Sequence, residues 1–214
     1  HRTKLVLTEH GLATPPHELV REHQPVTLTP PVVIKPIAEG SSIDLSICKD
    51  DGQVDAARTA LHVRYPELLI EQYIEGMELT VGILCEPDGP RVLPLVQIIS
   101  ATEFYDYQAK YERQDTRYIC NPDLPQILID RMNQMALNAH KVMGCRHLSR
   151  VDFMVDRQLQ PWILEINTLP GLTSHSLIPM AAAAAGMSLS DLVDRLVSLA
   201  WDGWQASNVA PVST

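Results

Sequence analysis

At 214 residues the chain is long enough for one large domain or two small ones. With 45% hydrophobic and 20% charged residues it can form an ordinary core, and its net charge of −9 argues against nucleic-acid binding, which requires clustered lysine and arginine. No apolar run approaches the roughly 20 residues of a membrane span, so we predict no membrane segment. The four cysteines are far apart and form no Cys-x-x-Cys pair, which favours free thiols and a cytoplasmic location.

The first third of the chain is predicted to form a small α+β unit. A helix over residues 2–10 ends at Gly11, and a proline-rich connection leads to a short buried strand, Val32–Ile34. Apolar residues at helical spacing predict a second helix over 53–64, and an apolar run predicts a strand over 68–73.

The middle of the chain predicts strands, then a loop, then a helix. Strands are expected over 77–85 and 92–99, on either side of a Pro-Asp-Gly turn. Residues 101–121 are polar and aromatic without periodicity, which indicates a loop long enough to suspect a function. A helix over 124–143 follows. Its inward face is predicted to comprise Ile127, Met132, Met135, Ala139 and Val142.

Two short apolar strands around a polar turn come next, and they carry charge where core residues would be expected. Side chains of a strand alternate between faces, so with the turn centred on Gln158-Leu159, Asp152 lies opposite Glu165 and Arg150 opposite Asn167. Opposed residues have Cβ atoms roughly 4.5–5.5 Å apart, so two carboxylates, an amide and a guanidinium converge. Hard oxygen ligands of this kind suit Mg²⁺ or Mn²⁺, often together with substrate phosphates. The alternative is a sheet with one solvated face.

An irregular loop joins this hairpin to an Ala-rich helix predicted near 177–185, and another helix is expected near 189–200. Gly171 allows a close backbone approach, and Ser176 lies where a helix N-cap is expected. Backbone amides at such a helix start favour an anion.

Charged side chains at strand ends suggest a nucleotide site. Lys35 ends the buried strand just before the polar turn 37–42, where a lysine can reach phosphates while loop amides bind other oxygens. The alternative is a surface loop with a solvated lysine. Glu71 and Glu78 flank a link between strands, and their carboxylates can accept hydrogen bonds from a ribose or an adenine amino group; ordinary strand-end charges are the alternative.

One loop segment, Phe104–Tyr111, holds four aromatic side chains and Lys110. Large aromatic residues in a long loop form either a lid over a ligand or a self-packed Ω-loop. The residues alone leave both possibilities open.

Five segments that carry these features follow one another in a distinctive order: Ile34–Ser42, Leu69–Glu78, Phe104–Tyr111, Arg150–Asp152 and Glu165–Leu177. Together they closely resemble the D-alanine–D-alanine ligase family, which belongs to the ATP-grasp carboxylate–amine ligases. The resemblance implies an α+β, ATP-grasp fold. A small α+β lid domain would comprise residues 1–73, a larger antiparallel-sheet catalytic domain residues 74–203, and a tail residues 204–214.

The resemblance implies a ligase for peptidoglycan precursor and cell-wall synthesis. ATP would phosphorylate the carboxylate of one D-alanine, and a second D-alanine would attack the acyl phosphate through its amine. Two Mg²⁺ (or Mn²⁺) ions would be held by Asp152, Glu165 and Asn167 and would neutralise charge that develops during transfer. The implied ATP contacts are Lys35, Glu39, Ser42, Glu71, Ile74, Glu78, Lys110, Met154 and Leu164.

Further roles for the acceptor side are implied in the same way. Arg150 and the backbone N–H of Gly171 would stabilise the oxyanion formed as the amine attacks, and such donors are typically worth about 3–4 kcal/mol each. Ser176 and the N–H of Leu177 would bind the carboxylate of the second D-alanine at the helix start.

Ser41 and Tyr111 would position the first substrate and the lid loop. The family's depsipeptide-forming relatives usually lack the tyrosine at the second position, so Tyr111 favours an amine nucleophile over the hydroxyl of D-lactate.

The chain also departs from the family pattern. An N-terminal domain usual in the family is expected to be missing, so we expect a fragment that is inactive alone and a homodimer when full length. Asp44 replaces a usual glycine, which would add negative charge near the phosphates.

Three hypotheses follow. The first is D-alanine–D-alanine ligation, the second is an ATP-grasp ligase with another acceptor such as D-lactate, and the third is a non-catalytic nucleotide-binding module. Arg150, Gly171 and Ser176 favour the enzymes, because a bare nucleotide binder has no need of an oxyanion site.

Overall fold

A computed structural model describes residues 1–40, 42–100 and 116–208, with side chains described up to residue 203. The helices of these residues are α1 (Arg2–Glu9), α2 (Asp51–His62), α3 (Gln126–Val142), α4 (Leu177–Ala184) and α5 (Leu189–Asn208). The strands are β1 (His17–Arg21), β2 (Val32–Pro36), β3 (Ser46–Cys48), β4 (Glu67–Gln72), β5 (Gly76–Glu86), β6 (Gly89–Val92), β7 (Val96–Ile99), β8 (Arg117–Cys120), β9 (Leu148–Asp156) and β10 (Pro161–Asn167).

The chain divides into two compact units. The first comprises His1–Met77, Ile98–Tyr118 and Met154–Leu164. The second comprises Glu78–Gln97, Ile119–Phe153 and Glu165–Thr214.

The first unit contains a four-stranded antiparallel sheet in the order β1-β4-β2-β3. Helix α2 begins at a capped end, because Asp50 accepts a hydrogen bond from the backbone N–H of Gln53 at 2.8 Å. The helix and the sheet share one apolar core. Its buried residues are Val20, Val32, Ile34, Cys48, Val54, Leu61, Leu68 and Ile70.

Helix α1 ends as the sequence predicts. Gly11 has φ +69°, and the N–H of Leu12 reaches back to the carbonyl of Leu7 at 2.9 Å. The buried face of this helix comprises Lys4 and Leu7. A lysine on that face brings a charge into the first unit.

A six-stranded sheet has the order β10-β9-β5-β7-β8, with β6 paired to β5. The β5–β6 turn sets an antiparallel register in which Glu86 pairs with Gly89 and Ile83 with Val92. Within the second unit, Gly82 of β5 lies so close to Ile178 that a Cβ there would meet its Cδ1 at 2.7 Å. Helix α4 therefore packs tightly on β5.

Three short strands were not predicted from the sequence, namely β1, β3 and β8. Each has five residues or fewer, and β8 lies in a segment predicted as loop. Of the predicted strand over 92–99, residues Val96–Ile99 form β7, while β6 lies before it and shares only Val92 with the prediction. Pro94 lies between the two strands.

The predicted inward face of α3 is partly wrong. Ile127 is 81% exposed, whereas its neighbour Leu128 is buried. Met132, Met135 and Ala139 are buried as predicted. Ile127 and Leu128 are both apolar and differ by 100° around the helix, so the sequence pattern did not decide between them.

All four cysteines are free thiols, as predicted. In the described part of the chain no single helix has the length and apolarity of a membrane span. The segments Leu177–Ala184 and Leu189–Gly203 reach that threshold only when joined, and they meet at a bend of 105°.

Candidate functional site

The predicted cluster of oxygen-bearing side chains is present in the second unit. Asp152 of β9 is buried, while Glu165 and Asn167 of β10 are more accessible. The Nδ2 of Asn167 donates to Oδ2 of Asp152 at 2.9 Å and to Oε1 of Glu165 at 3.3 Å. The three side chains predicted as metal ligands therefore form one connected group.

Two further donors hold the Asp152 carboxylate in place. Arg150 donates from Nε to Oδ1 and from Nη2 to Oδ2, both at 2.8 Å, which is the bidentate arrangement that a guanidinium favours. The buried hydroxyl of Thr80 donates to Oδ1 at 2.6 Å. Sequence reasoning missed Thr80. The signal in the sequence was one polar residue between apolar neighbours, Leu79 and Val81, in a predicted strand.

The donor set fits a hard divalent cation only if other oxygens complete the shell. Among residues 1–40, 42–100 and 116–208, no three His, Cys, Asp or Glu side chains come together to hold a metal ion. The cluster instead offers two carboxylates and one amide, and Mg²⁺ is commonly bound by one or two carboxylates plus substrate phosphates. The chemistry of these side chains suits that arrangement.

Ser176 is the N-cap residue of α4, at the predicted position, but its side chain does not cap the helix. The Ser176 Oγ instead accepts from the backbone N–H of Thr173 at 3.1 Å and hydrogen-bonds to the Thr173 hydroxyl at 2.9 Å. A Cβ at Gly171 would meet this Oγ at 2.8 Å, so the backbone of Gly171 lies close to the Ser176 side chain. Gly171, Ser176 and the start of α4 at Leu177 are thus brought together.

A second charged group lies in the first unit, around Glu71 of β4. This buried carboxylate forms ion pairs with Lys35 of β2 and with Lys4 of α1. Burial alone would raise the pKa of Glu71, but the charges of Lys35 and Lys4 outweigh it and hold the pKa below its usual value. Lys35 and Glu71 were predicted from the sequence, but Lys4 was not; its only signal is its place three residues before Leu7 on the inner face of α1.

The segment between β2 and β3 contains a carboxylate that is paired with a cation. Asp44, with φ +56°, accepts hydrogen bonds from Arg64 at 2.9 Å and from the Tyr65 hydroxyl at 2.6 Å. These bonds, first from Tyr65 and then from Arg64, hold the pKa of Asp44 below its usual value. The negative charge expected from Asp44 is therefore paired with a cation.

The remaining predicted nucleotide contacts vary in exposure. Glu39 is exposed, whereas Ser42, Ile74, Glu78, Met154 and Leu164 are half-buried and so partly accessible. Ser42 has φ +58°. Ser41, Lys110 and Tyr111 lie outside the described residues.

Known proteins with similar sequences and structures identify the family. The sequence profile described as "D-ala D-ala ligase C-terminus" matches residues 5–198. The chain is 42% identical to the D-alanine–D-alanine ligase of Nitrosomonas eutropha over 203 residues, covering 92% of this chain and 65% of that protein. It is 40% identical to that of Bordetella pertussis over 195 residues, covering 89% and 62%.

A solved structure agrees with this relationship. The D-alanine–D-alanine ligase of Bacillus anthracis complexed with ATP superposes with a TM-score of 0.79 at 31% identity, over 96% of this chain and 67% of that one. The fold is therefore α+β, of the ATP-grasp type, as predicted. The chain spans less than two thirds of the length of the two relatives named above. It belongs to the family of the D-alanine–D-alanine ligase C-terminus.

Proposed function

We propose that this chain is the ATP-binding and catalytic portion of a ligase that joins two D-alanine molecules. ATP phosphorylates the carboxylate of the first D-alanine, the amine of the second displaces phosphate from the D-alanyl phosphate, and ADP, phosphate and the dipeptide result. The observation that carries the proposal is the connected group of Asp152, Glu165 and Asn167, held by Arg150 and Thr80.

Two Mg²⁺ or Mn²⁺ ions would be held by Asp152, Glu165 and Asn167 when ATP is bound. They would neutralise charge that develops on the phosphates during transfer. Support comes from the oxygen chemistry of the three side chains and from the ATP named in the Bacillus anthracis structure. The protein's own part is to fix these oxygens, since Arg150 and Thr80 both donate to Asp152.

The acceptor would be oriented by the loop at the start of α4. The N–H of Leu177 and the hydroxyl of Ser176 would bind the carboxylate of the second D-alanine, because a helix start favours an anion. The N–H of Gly171 and the guanidinium of Arg150 would stabilise the oxyanion. The close approach of Gly171 to the Ser176 hydroxyl supports a role for both residues at one place in this loop.

ATP would be bound by the nucleotide contacts named from the sequence. Lys35 and Lys110 would meet phosphates, with Glu39 and Ser42 on the turn beside them. Glu78 would meet adenine or ribose. Glu71 was expected to do the same, but its carboxylate is buried and ion-paired with Lys35 and Lys4, so it would act on the nucleotide through Lys35. Ile74, Met154 and Leu164 would line the adenine slot, which their partial exposure permits. Ser41 and Tyr111 would position the first substrate.

The wider assignments are proposals of the same standing. The domains would be residues 1–73 and 74–203 with a tail at 204–214. The full-length protein would act as a cytoplasmic homodimer in peptidoglycan precursor synthesis.

Phosphate release by the full-length gene product tests the proposal, with ATP and Mg²⁺ plus D-alanine, D-lactate or L-alanine. Release stimulated by D-alanine alone, with dipeptide formed, is the expected result. Stimulation by D-lactate with depsipeptide as the main product would instead indicate the other acceptor class. ATP binding without turnover would indicate a non-catalytic nucleotide-binding module.

A further inference from the structure

Lys4 is anchored at several points inside the first unit, although it is a charged residue. Its side chain is 4% exposed, and its Nζ forms an ion pair with Glu71 and donates to the Thr14 hydroxyl at 2.7 Å. Thr14 in turn donates to the carbonyl of Ile163 at 2.9 Å. Lysine is almost never fully buried unless it is paired, so this position has a specific electrostatic environment.

The single Glu71 carboxylate forms ion pairs with two lysines. The carboxylate lies between two ammonium groups, and the two lysines differ in access: the side chain of Lys35 is 24% exposed and that of Lys4 is 4% exposed. Lys35 is therefore the lysine of this group that an incoming anion can reach. A buried charge without compensation is strongly unfavourable.

We propose that Lys4 is a positioning residue that neutralises Glu71 from the buried side and so leaves the charge of Lys35 available to a nucleotide phosphate. This inference rests on the proposed ATP-binding function and adds to it a residue that does not touch the nucleotide. Without Lys4, Lys35 would be the one remaining lysine of the pair to balance the Glu71 carboxylate, and less of its charge would be available to a phosphate.

A purely structural role for Lys4 makes a different prediction. If the Lys4 ion pair only holds α1 against the sheet, substitution of Lys4 should lower the affinity for every ligand equally or destabilise the fold. If Lys4 instead keeps the charge of Lys35 available, substitution of Lys4 should lower the affinity for ligands that carry phosphate groups more than for ligands without them. The comparison of ATP with adenosine, which has no phosphate, separates the two roles.

The experiment is calorimetric titration of the full-length gene product with ATP and with adenosine, for the wild type and Lys4→Met. We expect ATP affinity to fall about tenfold or more, as for loss of one charge-assisted contact, while adenosine affinity changes less than about twofold. Arg2→Met is the matched control, since it removes a cation from an exposed position of the same helix. It should leave both affinities unchanged.

Two further variants complete the test. Lys4→Arg retains the charge and should recover most of the preference for ATP over adenosine. Adding Glu71→Gln to Lys4→Met removes the carboxylate that pairs with Lys35. The preference for ATP over adenosine should then return, even if adenosine itself binds more weakly. If Lys4→Met does not fold, Lys4→Gln carries the same expectation, because its amide can still bond to Thr14.

The outcomes distinguish this inference from the function on which it rests. A wild-type protein without ATP affinity would contradict the proposed function and this inference with it. ATP binding by the wild type, with equal losses for ATP and adenosine or with no loss in Lys4→Met, would overturn the role of Lys4 and leave the proposed function standing.

Discussion

Asp152 accepts hydrogen bonds from three side chains, those of Thr80, Arg150 and Asn167. Each bond restricts where the carboxylate oxygens lie, and a carboxylate fixed before its ligand arrives loses less entropy on binding. Glu165 has a looser environment, because it is exposed and its contact to Asn167 is long at 3.3 Å. We therefore expect Asp152 to depend on its supporting residues more than Glu165 does.

Thr80→Val should separate this support from direct binding. Valine has a similar shape but cannot donate to Asp152, and loss of such an outer contact typically costs about 10–100-fold in metal affinity. We expect a rise of that order in the Mn²⁺ concentration needed for half-maximal phosphate release. Thr80→Ser retains the hydroxyl and is the control; a shift as large in Thr80→Ser would show that packing, not the hydrogen bond, matters.

Glu165→Gln should remove activity and leave the fold intact. The glutamate is exposed, so its substitution should change the free energy of unfolding by less than about 0.5 kcal/mol. Turnover should fall by more than about 100-fold, because a proposed metal ligand loses its charge. Steady-state phosphate release and urea unfolding of the same preparation check both parts. Glu9→Gln is an exposed control, and near-normal turnover in Glu165→Gln would refute the metal role.

The residues that could be predicted are those whose pattern is local. Asp152, Glu165 and Asn167 sit within one hairpin, so alternation along two strands was enough to bring them together. Thr80 and Lys4 were missed for a physical reason, because their partners Asp152 and Glu71 are 72 and 67 positions away. A local sequence pattern does not reveal which distant elements lie side by side.

At the level of elements, close backbone approach is an important constraint in the first unit. A Cβ built on Gly76, at the start of β5, would lie 1.9 Å from the carbonyl oxygen of Val155. No side-chain movement can relieve that contact, because the neighbour is backbone. Glycine at this position is therefore required by packing.

Gly76→Ala should destabilise the protein by about 3 kcal/mol or more, the upper end of the cost of overpacking. Gly40→Ala is a matched control, because a Cβ there has nothing within 4 Å. Its effect should stay within about 0.5 kcal/mol. Urea unfolding of the two variants measures the difference, and equal stabilities would mean that the strand is not held this closely.

The orientation of α3 can be tested with two apolar residues of the same helix. Met132 is fully buried, so Met132→Ala should cost about 2–5 kcal/mol of unfolding free energy. Ile127 is mostly exposed, so Ile127→Ala should cost less than about 0.5 kcal/mol. Thermal unfolding of both variants is the measurement. A larger cost at Ile127 would restore the inward face expected from the sequence.

The long helices and apolar strands were predicted closely, whereas the short strands were not. β1 exists because its residues pair with β4, as Leu19 does with Leu69. Five residues carry too weak a pattern of their own, and the flanking prolines suggested a connection. Tertiary pairing, which no local window contains, decides such elements.

For the whole molecule, the fold and the family are established while the activity is a proposal. The profile matches most of the chain, residues 5–198. The chain itself covers only 62% and 65% of the two relatives named above. Sequence resemblance predicted the family because long motifs recur in order. The hydrogen bonds that fix Asp152 are a geometric observation independent of that resemblance, and they support the proposed metal-binding role of its carboxylate.

The most direct test of the central claim uses D-alanine labelled with ¹⁸O in its carboxylate. The full-length gene product is incubated with labelled D-alanine, ATP and Mg²⁺, and the dipeptide and phosphate are analysed by mass spectrometry. Ligation through D-alanyl phosphate predicts D-alanyl-D-alanine and an equal amount of phosphate carrying one ¹⁸O atom. Unlabelled phosphate, or labelled D-alanine recovered without dipeptide, would contradict the account.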